Sequence, residues 1–162
     1  MKYLPIYLND HYAGSTAGVE LAKRAAKNNR GNAEFGPPLT RLAGEIDEDR
    51  ETLKQIMDRL AVSEDRIKAS LFWVGEKFGR LKPNGELLQF SPLSRVVELE
   101  GLITGVSGKL SLWKTLLELA PQDGRLDTGE LNGLVARAED QLERLHALSL
   151  AASLVAFRDD IA

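Results

Sequence analysis

Residues 28–38 read NNRGNAEFGPP, Asn28 to Pro38, and they hold a helix stop and a helix start a few residues apart. Asn28-Asn29-Arg30-Gly31 ends the helix before it, because Asn and Gly tolerate the left-handed backbone conformation. The loop continues through Phe35 and Gly36, and Pro37-Pro38 opens the next helix, where a missing N–H is not needed. A loop this short makes its two flanking helices antiparallel neighbours. Working outward, the first helix reaches back to Pro5 and the second runs on to about Leu60.

Beyond Leu60, Ser63 followed by Glu64 and Asp65 has the form of an N-cap with acidic residues in the first turn. Ile67, Leu71, Val74, Phe78 and Leu81 then share one helical stripe, and Pro83-Asn84-Gly85 breaks it. Ser91-Pro92 starts a fourth helix that extends to about Ala120. Pro121 to Arg125 form a turn, and Asp127 with Glu130 predicts a capping box for a last helix ending near Phe157. The chain thus reads as two helical hairpins, 5–60 and 92–157, joined by a connection of about 30 residues that carries a shorter helix. This predicts one all-α domain over residues 1–162: a four-helix bundle of two antiparallel hairpins with a single long crossover.

The composition agrees. Of 162 residues, 43% are hydrophobic and 28% charged, the balance of a soluble globular domain with a sizeable core. A net charge of −3 with interspersed signs argues against nucleic acid, whose phosphates call for a basic face. The absence of cysteine removes disulfides, thiolate metal sites and cysteine nucleophiles. MKYLPIYLNDHY has no long apolar run and is not read as a signal peptide, and no stretch is long enough to span a membrane, so a cytoplasmic location is expected.

Two helices have unusual faces. Gly14 and Gly18 share one side of the first helix, and Gly101, Gly105 and Gly108 cluster on one side of the fourth. Small residues let backbones approach, so these two helices are expected to pack most closely. The aromatics Phe72, Trp73 and Phe78 gather on the connecting helix. They either pack on the bundle or form a patch for a homodimer through the 64–81 helix.

Glu143-Arg144-Leu145-His146 has Glu-x-x-His spacing, and with the helix order it resembles the ferritin-like superfamily, in particular its small bacterial members. In that superfamily's di-iron and di-manganese proteins, two helices each give a Glu and two others each give Glu-x-x-His. The resemblance covers nearly the whole chain as helix order, while its motifs are matched only in part. The second helix offers Glu45-Ile46-Asp47-Glu48, with no histidine in the family's place.

Counting heights at ~1.5 Å per residue brings Glu20, Glu45, Asp49, Glu100, Glu143 and His146 to within about one turn of each other. By face, Asp49 lies inside the apolar stripe Leu39, Leu42, Ile46, Leu53, Ile56 and Leu60, with Glu45 at its edge; a salt bridge to Arg41 or Arg50 competes with a ligand role. Glu100 flanks Leu99 and Ile103, although Glu98 is also open to burial on so apolar a helix. Glu139 competes with Glu143 as the inward acid beside His146. Glu20 points away and suits a surface pair with Arg24, while His11 aims inward at another height.

Two functions from different classes follow. One is a structural or protein-interaction module with a degenerate metal site. The other is an Fe- or Mn-binding oxidase or metal-storage protein using Glu45, Asp49, Glu100, Glu143 and His146, as the resemblance implies; carboxylates with little histidine suit such hard or borderline ions.

Overall fold

The computed structural model describes residues 2–64 and 90–161. Four long helices account for most of them: α1 Leu4–Asn28, α2 Gly36–Arg59, α3 Pro92–Leu119 and α4 Thr128–Phe157. No strand occurs among the described residues. The connecting helix expected from Ser63, and the dimer expected through its 64–81 face, fall almost wholly outside them.

Local chemistry explains each boundary. α1 stops at Asn28, and the Asn29 side chain donates back to the Ala25 carbonyl at 2.8 Å. Asn32 Oδ1 then accepts from the Glu34 and Phe35 amides at 2.9 and 3.0 Å, a side-chain turn that swings the chain into α2. α2 closes with Ala61 at φ 55°, the Ala61 amide on Asp58 O and the Val62 amide on Met57 O. That is a Schellman stop built on alanine instead of glycine, with Val62 buried beneath it. Ser91 and Ser94 cap α3 reciprocally. Asp127 accepts from the Glu130 amide at 2.7 Å, but the Glu130 carboxylate pairs with Arg59 and does not complete the expected box.

Contacts between helices give their directions. Asn9 bonds the Ser63 carbonyl at one end of α1 and Lys23 pairs with Asp47 toward the other, so α1 and α2 are antiparallel. Tyr7 meets Thr115 while Arg24 meets Glu98, so α1 and α3 are antiparallel too. Arg59–Glu130 and Arg144–Glu45 set α2 against α4 in the same sense. Hence α2 and α3 run in one direction. α1 packs on α2 and α3, and α3 packs on α4. α2 and α4 are joined chiefly by long polar side chains. Leu8, Leu42, Ile56, Leu99, Leu116, Leu131 and Leu145 fill the centre, each fully buried. No helix among the described residues is long and apolar enough to cross a membrane.

The glycines do something other than expected. A Cβ built at Gly14, Gly18, Gly105 or Gly108 meets nothing within 4 Å. These positions border a cavity of about 720 Å³ between α1, α2 and α3, so they make room instead of permitting close contact.

Candidate functional site

Asp49 sits within the buried stripe of α2 and is only 2% exposed. An ionised carboxylate there is costly unless charges and hydrogen bonds compensate it. Compensation comes from three side chains on the other hairpin. The Lys109 ammonium of α3 donates to Asp49 Oδ2, and the Arg137 guanidinium of α4 donates to Oδ1. The Gln141 amide, 0% exposed, donates to Asp49 Oδ2 and Glu45 Oε2 at 3.2 Å each, while its carbonyl accepts from Lys109.

Glu45, one turn away, receives both arms of Arg144, at 3.0 Å on Oε1 and 2.5 Å on Oε2. Burial pushes the Glu45 carboxyl up, but its bonds to Arg144 and Gln141 and the charges of Arg144 and Arg137 outweigh that and hold it below the usual range. Burial lowers the Lys109 ammonium below the ordinary lysine value, with Asp49 opposing the shift. The result is two carboxylates, three cations and one amide, tying α2 to α3 and α4 with little uncommitted charge. Nearer the surface, Asp140 shares the Nη2 arm of Arg144 with Glu45, and Glu48 takes the other arm of Arg137.

Only part of the expected acidic cluster meets here. Glu45 and Asp49 share Gln141, whereas Glu100, Glu143 and His146 are exposed. Among the described residues no group of three or more His, Asp or Glu is placed to hold a metal ion. The α4 face explains this: Leu134, Ala138, Gln141 and Leu145 point inward. His146 is rotated by roughly 100° from Leu145, and Glu143 by roughly 200° from Gln141. Glu139 pairs with Lys114 at the surface. Glu20 is exposed, and Arg24 turns to Glu98. His11 lies half-buried and edge-on to Tyr7, with ring centroids 4.5 Å apart. Burial lowers its pKa, against the raising effect of Asp10.

Lys109, Arg137, Gln141 and Arg144 had no expected site role. Gln141 was visible in principle, because it continues the seven-residue step from Leu134. Lys109 was visible as the one basic residue in an otherwise apolar run of α3.

A second buried acid lies between α1 and α3. Glu98 is 7% exposed, and its Oε1 accepts from Asn28 at 2.9 Å and Arg24 at 3.1 Å. Its Oε2 is buried without a partner among the described residues. Burial raises its pKa above the ordinary 4.5, more than Arg24 and Asn28 lower it. A carboxyl raised in the folded state adds stability below its unfolded pKa, and that contribution is lost as pH rises through the folded value. Glu98→Gln keeps an acceptor for Arg24 and Asn28 and removes the charge. The variant is therefore expected to be more stable than the parent at pH 7, with the advantage shrinking toward pH 4 in urea titrations at both pH values.

No family model, curated protein or solved structure matches the chain.

Proposed function

We propose that the chain is a non-enzymatic ferritin-like bundle, a structural or interaction module in which internal cations stand where that superfamily holds metal. The observation that carries this reading is the Lys109 ammonium, seated on Asp49 and Gln141 beside Glu45. It supplies positive charge at the height where the resemblance places an ion. Arg137 and Arg144 occupy further oxygens of the same two carboxylates. The donor set does not fit a di-metal centre, because its acids are committed to fixed cations and His146 is exposed. The shared direction of α2 and α3 supports the single-crossover topology.

An interaction role draws support from one end of the bundle. Leu150, Leu154, Val155 and Phe157 are exposed on the last turns of α4, and the antiparallel hairpin brings Phe90 and Leu93, also exposed, to the same end of the bundle. A cluster of large apolar side chains in water is typical of a surface that meets a partner. The homodimer expected through residues 64–81 belongs to the same proposal.

Metal analysis of protein purified without a histidine tag tests the reading. Mn, Fe and Zn well below one equivalent are expected in the parent. One or two equivalents of Mn or Fe, lost in Asp49→Ala, would sink it.

A further inference from the structure

We propose that α4 pairs antiparallel with α4 of a second copy of this chain, through the outward stripe Ala147, Leu150, Leu154 and Phe157; this rests on the interaction-module reading and gives it a partner. The four residues follow one another at spacings of 3, 4 and 3, the alternation of a two-helix seam. At roughly 100° per residue they occupy an arc of about 80°, on the side of α4 away from the buried Leu145 and Ala152. All four are exposed, Leu150 and Leu154 by 70% and 71%. They add nothing to the core of their own bundle.

The stripe complements itself when inverted, and this fixes the occupant. A 3-4-3 spacing reads the same in both directions. Inversion about residue 152 therefore lays Leu150 on Leu154 of the other copy and Ala147 on Phe157, a small side chain against the largest. Charge order inverts as well. Glu143 precedes the stripe and Arg158 follows it, both exposed and neither in an ion pair among the described residues. Inversion brings each to within about 4.5 Å, along the axis, of its opposite in the other copy. A two-fold pair of this kind satisfies both copies at once and closes.

The extent of the stripe agrees. Toward the start of α4 the same face turns polar, with Asn132, Asp140 and Glu143 exposed. It therefore fits a partner that covers only the end of α4, not a segment running the length of the bundle. With Val155 and Ile161, exposed at the same end, the patch offers roughly 600 Å² per copy, the low end of specific interfaces. A reversible dimer in the micromolar range is expected.

The test is sedimentation velocity of the untagged full-length protein from low micromolar to millimolar concentration. A monomer–dimer equilibrium is expected. Leu154→Glu sets two acids beside the two-fold axis and should leave only monomer, with an unchanged helical spectrum. Glu143→Arg and Arg158→Glu should each weaken association by about fivefold, and the two together should restore it. Direction is read from spin labels. The chain has no cysteine, so exposed Ala136→Cys takes a single label. An antiparallel pair puts the two labels about 48 Å apart, against roughly 10 Å for a parallel pair. Three results would overturn the proposal: monomer up to millimolar concentration, a dimer indifferent to Leu154→Glu, or labels one helix spacing apart. A dimer indifferent to Leu154→Glu would leave the interaction-module reading standing with its interface elsewhere, and metal content tests the metal-free reading separately.

Discussion

Lys109→Met is expected to destabilise the protein by about 3 kcal/mol, the lower end of the ~3–5 kcal/mol typical of removing one partner from a buried ion pair. The lower end applies because Asp49 retains Arg137 and Gln141. The methionine occupies similar space, so lost packing contributes little. What remains is a carboxylate that has lost one of its two cations inside an apolar stripe. Removing the charge as well should recover most of the loss, so Asp49→Asn combined with Lys109→Met is expected to be more stable than Lys109→Met alone. Urea denaturation of the parent, both single variants and the double variant closes the cycle. A loss under about 0.5 kcal/mol in Lys109→Met would place this pair with ordinary surface ion pairs and remove it from the account of the core.

Gly36→Ala should cost about 2–3 kcal/mol, at the upper end of overpacking effects. A Cβ there would lie 2.7 Å from the Asn29 carbonyl oxygen and 3.3 Å from that of Arg30. Neither can retreat easily. The Asn29 oxygen already accepts the Asn32 amide at 2.9 Å, and the buried Asn29 side chain bonds both Ala25 and Arg95. The α1–α2 turn therefore has to distort as a unit. Gly18→Ala and Gly105→Ala should have the opposite sign, each stabilising by about 0.5–1 kcal/mol through helix propensity, since their added methyls enter open space. Thermal melts followed by circular dichroism separate the two classes. Gly36→Ala should melt roughly 4–12 °C lower, and the cavity variants slightly higher than the parent.

The contrast between these glycines marks where sequence reading stops. NNRGNAEFGPP carries its own stop and start signals, so the α1–α2 hairpin was legible almost to the residue. Ser91-Pro92 and Asp127 likewise announced α3 and α4. These are local signals, set by backbone groups a few residues apart. The spacing of Gly14, Gly18, Gly105 and Gly108 says only that side chains are missing, and close packing and a cavity leave the same letters. Asp49 was legible as a buried acid because α2 has one sharp apolar stripe. α3 is apolar on nearly every side, so its face cannot distinguish Glu98, which is buried, from Glu100, which is exposed. Lys109 escaped notice for another reason: it lies about one and a half turns from the height assigned to Asp49, and its long side chain covers the gap.

The central claim, that fixed cations hold the place of a metal around Asp49 and Glu45, is tested most directly by thermal unfolding of the untagged protein with Mn²⁺ or Fe²⁺ against the same protein with chelator. An ion that binds the folded state stabilises it by mass action, by about 2.7 kcal/mol at a hundredfold excess over its dissociation constant. Superimposable melting curves are expected at millimolar metal. A saturable rise in melting temperature with Mn²⁺ or Fe²⁺ that disappears in Asp49→Ala would contradict it.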